Sequence, residues 1–426
     1  MKQIHYPRLE ETLYSTVLEN GLRVLVLPKP GFSRKIAYFV TDFGSIHTEF
    51  SLDGQLYRVP AGIAHYLEHK LFDMPRGDVT PEFAALGANP NAFTGYDMTA
   101  YYFSCTDHFS QCLQLLLEFV STPYFTDESV EKERGIIAQE IMLCDDTSEN
   151  RVFDNLARGA YQEHPVAVPI LGTQESIAAI TKEDMYLCHR AFYTPKKMLL
   201  CVVGDVDPHQ VEDIAMRILP ETAPMPAVKR TPREQSLDTP QKEVQEQMEI
   251  SMPTFLLGLK IPPMAWGEEG IRQEFVTDLA VEALLGESSE LYMQLYDSGL
   301  IDSSFGGSFE SMDGAAMVLC GGDSQKPRQV RDAVLRRLQT LAQTGIREED
   351  FRRMKKSALG RRIRDLSSFE STCYRLCACK LTGFDYLEFP RLFASVTKED
   401  VQKCLQDMAQ TPGHCLSIIY PKGDNP

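Results

Sequence analysis

The feature that most constrains the fold of this chain is an internal repeat. Shifting the 426-residue sequence by 215 residues places the apolar stretch Ala100–Cys105 on Ala315–Cys320. Leu199–Val203 likewise matches the strand around Leu416–Tyr420, near the end of each half. Helical stretches that follow the first pair of strands correspond in the same order: 107–122 and 127–144, then 327–343 and 348–364. The repeat predicts two homologous units of mixed helix and strand, since 426 residues suit two domains better than one.

Each unit is predicted to be an antiparallel-rich sheet with helices on one face, which is an α+β architecture. Between the halves the sequence becomes rich in proline and charge, as expected of a linker. The prolines are Pro220, Pro224, Pro226, Pro232 and Pro240. We therefore expect a first domain over 1–220, a linker over 221–243 and a second domain over 244–426.

The first half contains the pattern H-x-x-E-H at His65–His69. On a helix, His65 and His69 project from the same face, one turn apart. Two imidazoles at that spacing can both reach one Zn²⁺ at roughly 2.0–2.1 Å. Glu68 lies near the same face and could take a proton from a metal-activated water. The apolar stripe of Ile63, Ala64, Leu67 and Leu71 favours a helix, and Pro60 and Gly62 mark its entry.

A second helix is predicted from about Thr126 to Leu143. It carries Glu133 and Glu140, seven residues apart and therefore on one face. Either carboxylate could complete a His₂Glu zinc site with water in the fourth position. The alternative is that these residues and Glu131 are solvated carboxylates on a helix surface.

A resemblance to a known family favours a zinc ligand over a solvated surface carboxylate. The stretch Gly62–His69 resembles the zinc helix of the pitrilysin/insulinase peptidases, the inverzincins. The stretch Glu131–Ile141 resembles their second motif, 71 residues separating His69 from Glu140. The resemblance implies that Glu140 is the third ligand of one zinc ion per chain, and that Glu133 orients a ligand without binding the metal.

A third match to the family is Asn91-Ala92-Phe93-Thr94, which precedes a predicted strand from about Met98 to Cys105. It resembles the family's Asn-Ala-x-Thr edge strand, which pairs with the substrate backbone. Strand addition of this kind binds an extended peptide whatever its side chains. An ordinary surface turn is the alternative, because Asn and Thr favour turns.

The resemblance covers most of the chain and is nearest to bacterial members of about 400 residues that occur as paired subunits; these are related to mitochondrial processing peptidase. It implies a zinc-dependent endopeptidase for short or unfolded peptides. His65, His69 and Glu140 would hold the metal, and Glu68 would act as general base and then protonate the leaving amine. The alternative is a peptide-binding or structural subunit of a two-subunit peptidase.

The second half keeps the scaffold pattern without the zinc ligands. At the offset of 215 residues, His65, Glu68 and His69 fall on Ala280, Ala283 and Leu284, and Glu140 falls on Lys355. We expect this half to be an inactive repeat that encloses substrate or supports dimerisation. In the resembled family two such units make half of a clamshell, so a homodimer or a heterodimer with a related subunit is expected.

The chain departs from the family at one point. In longer members an Arg and a Tyr from the opposite half of the shell reach the substrate carbonyl. The corresponding strand here is 314–318, which contains no Arg. This favours a heterodimer whose other subunit provides those groups. Arg364 and Tyr374 are interpreted as helix-surface residues.

Composition bounds the remaining functions. Hydrophobic content of 43% and charged content of 24% are typical of a soluble globular protein. The first residues show no apolar run of the kind expected for a secretory signal, and no stretch is apolar over the length expected for a membrane span. Eleven cysteines without framework spacing suggest a reducing interior, hence the cytoplasm. A net charge of −17 argues against nucleic acid and would suit basic peptides.

Overall fold

The computed structural model describes residues 1–219, 228–230 and 236–423. The chain divides into two compact units, each made of three segments. The first unit comprises Met1–Ile141, Pro169–Thr231 and Ile363–Phe389; the second comprises Met142–Val168, Pro232–Arg362 and Pro390–Pro426. Each unit therefore includes one segment from the other half of the sequence. Within the predicted linker over 221–243, residues 221–227 and 231–235 lie outside the described residues, and the predicted domain boundaries stay a prediction.

The first unit is built on a seven-stranded sheet with the order β1-β2-β3-β11-β4-β10-β9. A three-stranded sheet, β12-β5-β6, and a small β7-β8 pair complete its strands. The bounds are β1 (Lys2–Tyr6), β2 (Glu11–Val17), β3 (Arg23–Pro28), β4 (Lys35–Thr41), β5 (Glu49–Leu52), β6 (Gln55–Arg58), β7 (Asp73–Met74), β8 (Gly77–Asp78), β9 (Asn89–Thr94), β10 (Thr99–Cys105), β11 (Met198–Gly204) and β12 (Val228–Arg230).

The order of the large sheet leaves β9 at one edge. Its neighbour β10 pairs with it antiparallel, in a register that sets Asn91 against Tyr102 and Thr94 against Thr99. The central strand β11 is buried along its whole length, as a strand covered on both faces must be, and it pairs parallel with β3 and antiparallel with β4.

The helices follow in chain order. They are α1 (Ile63–Leu71), α2 (Thr80–Ala85), α3 (Phe109–Ser121), α4 (Asp127–Asp145), α5 (Ser148–Ala160), α6 (Gln174–Ala178), α7 (Lys182–Phe192), α8 (Pro208–Ile218), α9 (Glu268–Leu285), α10 (Glu290–Asp297), α11 (Pro327–Thr344), α12 (Glu348–Asp365), α13 (Phe369–Leu381), α14 (Phe389–Ser395) and α15 (Lys398–Gln410). Short 3₁₀ turns lie at Pro165–Ala167, Pro195–Lys197 and Tyr386–Glu388.

Both faces of the large sheet are covered. On one face, alternate strand residues such as Phe39 and Tyr101 join a core with α1, α3, α7 and α8. On the other face, α13 packs against β11 and β4. The sequence pattern predicts helices on one face, and the second face is covered because the segment 363–389 crosses from the second half of the sequence into this unit.

The second unit has a five-stranded sheet with the order β13-β17-β14-β16-β15. Its strands are β13 (Glu243–Met248), β14 (Thr254–Ile261), β15 (Gly306–Met312), β16 (Ala315–Asp323) and β17 (His414–Pro421). All pairs are antiparallel except β13 with β17. The predicted α+β class, with two units of antiparallel-rich sheet and helices, is thereby confirmed. Among the described residues, none of the helices has the length and apolar character needed to cross a membrane.

Candidate metal centre

The metal centre begins with the entry to α1. Gly62 precedes the helix with φ at 88°, a left-handed conformation that favours glycine. A Cβ atom at this position would lie 2.4 Å from the carbonyl oxygen of Leu171. The Ser176 hydroxyl donates to the carbonyl of the preceding Ala61 at 2.8 Å. These contacts hold the start of α1 against the segment around Leu171 and Ser176.

The two helices that carry the predicted ligands are tied to each other. Tyr66, fully buried on α1, donates its hydroxyl to the Val130 carbonyl of α4 at 2.5 Å. Further along α4, Ile137 and Ile141 are buried in the same core as Leu67 and Leu71 of α1. This packing leaves Glu140 of α4 opposite the histidines of α1.

Three predicted ligands converge. The distance from His65 Nε2 to Glu140 Oε1 is 3.7 Å, and from His69 Nε2 to Glu140 Oε2 it is 3.5 Å. One ligand atom from each of the three residues lies within 4.8 Å of the others. Tetrahedral zinc with bonds of roughly 2.0–2.1 Å would separate its ligand atoms by about 3.3 Å. The three side chains thus fit around one such ion.

The two histidines differ in electrostatic environment. Burial, and then the neighbouring His69, lower the pKa of His65 to about 3, so its imidazole is neutral and keeps a lone pair for a metal. Its Nδ1 is buried without a hydrogen-bond partner among the described residues. Burial acts to lower the pKa of His69 too, but the hydrogen bond and charge of Glu133 and the charges of Glu140 and Glu68 outweigh it and raise that pKa. The surroundings of His69 therefore favour a cation.

Glu133 holds His69 from behind. Its Oε1 accepts a hydrogen bond from His69 Nδ1 at 2.9 Å, which leaves Nε2 directed at Glu140. Its Oε2 lies 4.0 Å from Nζ of Lys70, a fully buried lysine that also pairs with Asp73. A carboxylate on the far nitrogen of a ligating histidine fixes the ring and raises its basicity.

Glu68 lies on α1, between the ligands His65 and His69 in the sequence. Its Oε2 accepts a hydrogen bond from the Thr94 hydroxyl at 2.6 Å. Burial raises the pKa of Glu68, Thr94 and His69 act to lower it, and Glu140 adds to the rise. A carboxylate with a raised pKa next to a metal position is suited to accept and return a proton.

The predicted motif 91–94 forms the end of β9, on the edge of the sheet next to α1. Asn91 Oδ1 accepts from the backbone N–H of Ala92 at 2.8 Å. The Phe93 ring lies 5.9 Å from Tyr374 and 6.3 Å from Tyr102, between ring centroids. Sequence reasoning treated Tyr374 as a surface residue of its helix. No local signal could have found this contact, because it depends on the transfer of α13 into the first unit.

The second half has no equivalent centre within the described residues, where His65, His69 and Glu140 form the one group with metal-ligand spacing. Ala280 and Leu284 are buried apolar residues of α9. The Lys355 ammonium donates to the backbone carbonyls of Ala394 and Val396, at 2.9 and 2.5 Å.

Comparisons with known proteins identify the family of this chain. Residues 56–174 match the family described as insulinase (peptidase family M16), and residues 179–358 match the peptidase M16 inactive domain. The uncharacterized zinc protease YmfH of Bacillus subtilis is 37% identical over 99% of this chain and 100% of its own. The chain belongs to peptidase family M16.

Two solved structures place this M16 chain among its relatives. An M16-like peptidase from Alicyclobacillus acidocaldarius superposes with a TM-score of 0.94 at 33% identity, over 97% of this chain and 99% of that one. The periplasmic protease PqqL of Escherichia coli superposes with a TM-score of 0.74 at 18% identity, over 98% of this chain and 48% of that one. The second likeness shows the fold alone, in a chain about twice as long.

Proposed function

We propose that this M16 protein is a zinc-dependent endopeptidase that cleaves short or unfolded peptides. The observation that carries the proposal is the convergence of three ligand atoms within 4.8 Å, two of them from the helix that also carries Glu68. The name zinc protease, given to a relative at 37% identity over the full chain, supports the same reaction class. His65, His69 and Glu140 would hold one zinc ion per chain.

The residues around the metal position divide the chemistry. Zinc bound by two imidazoles and a carboxylate supplies Lewis-acid catalysis and lowers the pKa of water toward neutrality. Glu68 takes the proton of the attacking water and passes it to the leaving amine. With zinc bound, Glu133 would accept the hydrogen bond of His69 Nδ1 and so leave Nε2 to the metal. The raised pKa of Glu68 suits a group that must both gain and lose a proton.

The edge strand β9 supports the peptide part of the proposal. Asn91, Ala92, Phe93 and Thr94 would align an extended substrate by adding it to the sheet next to α1. Backbone pairing of this kind selects for unfolded chains, because a folded segment cannot offer a free strand. The Phe93 ring, packed with Tyr374 and Tyr102, lies on the sheet face away from Glu68, since Phe93 and Thr94 alternate across the strand.

We further propose that the working form is a dimer, either with a second copy or with a related subunit. The chain covers 48% of PqqL, so a single chain supplies about half of that longer architecture. The strand 315–323 lacks the Arg that longer members provide, which favours a related subunit as the partner. The cytoplasmic location stays a prediction from the sequence.

The test is cleavage of a mixed peptide library by the zinc-loaded protein, followed by mass spectrometry. We expect products from the wild type, none from Glu68→Gln, and full activity from Glu131→Gln, an exposed carboxylate of α4 that pairs with Arg134. If cleavage begins only when a related M16 subunit is added, the heterodimer is established. Peptide binding without products in either case would instead support the peptide-binding or structural subunit.

A further inference from the structure

The backbone of β9 presents two residues to its open edge. The N–H of Gly95 donates to the carbonyl of Met98 at 2.8 Å and closes the hairpin to β10. Because hydrogen-bonded and non-bonded pairs alternate in an antiparallel ladder, Phe93 then bonds to β10, whereas the N–H and C=O groups of Ala92 and Thr94 point away from it. No described strand pairs with that outer side. An added peptide strand would therefore bond to Thr94 and to the carbonyl of Ala92, whose N–H already donates to Asn91 Oδ1 at 2.8 Å.

The side chain of Thr94 contacts Glu68, the proposed general base. Thr94 pairs with Thr99, and so shares a sheet face with Tyr101, which is buried in the core formed with α1 and α3. On that face its hydroxyl donates to Glu68 Oε2 at 2.6 Å. A hydrogen bond from a hydroxyl to a carboxylate is short and about twice as strong as one between neutral groups.

The end of the hairpin behind Thr94 is held in place. The backbone N–H of Ser45 donates to the Gly95 carbonyl at 3.0 Å, and the Thr99 hydroxyl donates to the Phe43 carbonyl at 2.9 Å. Thr94 therefore lies between a fixed turn and an open edge. A β-branched side chain in a strand has few rotamers, so its hydroxyl is a fixed donor.

We infer that Thr94 is a positioning residue that couples substrate pairing to the orientation of Glu68. Its backbone binds the substrate strand, and its hydroxyl holds the carboxylate that must reach the attacking water. Thr94 thus positions both the substrate and the general base. This inference rests on the proposed function. It predicts that loss of the Thr94 hydroxyl lowers kcat, whereas the Thr94 backbone contributes to substrate binding.

The kinetic test compares Thr94→Val, which keeps the shape and loses the hydroxyl, with Thr94→Ser, which keeps the hydroxyl. For the fastest-cleaved library peptide we expect Thr94→Val to lower kcat about 10- to 100-fold with KM changed less than about threefold. We expect Thr94→Ser, which keeps the donor on a less restricted side chain, to retain a higher kcat than Thr94→Val. Thr12→Val, on β2 and remote from Glu68, is the matched control and leaves both constants unchanged.

A readout without activity keeps this inference separate from the proposed function. In the metal-free protein, Thr94→Val and Glu68→Ala should be non-additive in urea unfolding, since Thr94→Val removes the donor and Glu68→Ala the acceptor of the same hydrogen bond. Additive midpoints, a wild-type kcat for Thr94→Val, or a rise in KM alone would overturn the positioning role. If the wild type cleaves no peptide with or without a partner, the proposed function fails, and the role of Thr94 in orienting a catalytic base fails with it, even where the unfolding data confirm the contact.

Discussion

Gly62→Ala perturbs the residue that starts the zinc helix, and its effect can be worked out from two features of the structure. The first is the backbone conformation, with φ at 88°. An alanine in the left-handed region costs about 1–2 kcal/mol of unfolding free energy. The second is space, because the added Cβ would lie 2.4 Å from the Leu171 carbonyl oxygen. Relieving such an overlap by moving backbone costs about 1–3 kcal/mol more.

Gly54→Ala is the matched control for this substitution. Gly54 has φ at 86°, and its added Cβ would meet nothing within 4 Å. The control therefore carries the conformational cost without the overlap. We expect Gly54→Ala to lower the unfolding free energy by about 1–2 kcal/mol and Gly62→Ala by about 2–5 kcal/mol. Because α1 must shift to relieve the overlap, Gly62→Ala should also weaken zinc binding, which Gly54→Ala should not.

The assay is urea unfolding of the metal-free proteins by circular dichroism, followed by zinc competition with a chromophoric chelator. The difference between the two variants isolates the close approach to Leu171, since their backbone angles are nearly equal. Equal losses of stability in the two variants, together with equal zinc affinity, would refute the reasoning that Gly62 sets the position of α1.

Two further predictions concern the surroundings of the site. Glu133→Ala should lower zinc affinity about 10- to 100-fold in the same chelator competition, because His69 loses its Nδ1 partner. Glu131→Ala, which removes an exposed carboxylate of the same helix, should leave the affinity unchanged. Equal zinc affinities of the two variants would contradict the orienting role of Glu133. Burial lowers the pKa of His189 to about 4, so the folded state stays neutral while the unfolded state takes up a proton below pH 6.5. Protonation of His189 in the unfolded state should therefore lower the unfolding free energy by about 3 kcal/mol as the pH drops from 6.5 to 4. His189→Gln should lack this part of the loss. Parallel curves of unfolding free energy against pH for the two proteins would contradict the role of His189.

The sequence predicts the parts of the site that depend on local spacing. His65, Glu68 and His69 lie within five residues, so helical periodicity alone puts them on neighbouring positions of α1. The second helix, predicted from about Thr126 to Leu143, is observed as Asp127–Asp145. Spacing alone left both Glu133 and Glu140 open as ligands. In the structure Glu140 faces both Nε2 atoms, and Glu133 bonds to the far nitrogen of His69.

Contacts that depend on tertiary structure could not be predicted in this way. The hydrogen bond from Thr94 to Glu68 joins two residues that are 26 positions apart, one on a strand and one on a helix, and nothing in either motif encodes it. The contact of Tyr374 with Phe93 requires α13 to cover the sheet of the first unit. The apolar residues of α13 read equally well as a helix of the second half, because periodicity reports a buried face and not the sheet it packs against.

The central claim is that one zinc ion and Glu68 together make this M16 chain a peptidase. The most direct test is to titrate the metal-free protein with zinc, together with its M16 partner if one is required, while following cleavage of a library-derived peptide. The account predicts that the rate rises linearly to one zinc per chain and then stays constant, and that Glu68→Gln binds the same single equivalent without cleaving. Cleavage that is independent of zinc, or an equal rate in Glu68→Gln, would contradict it.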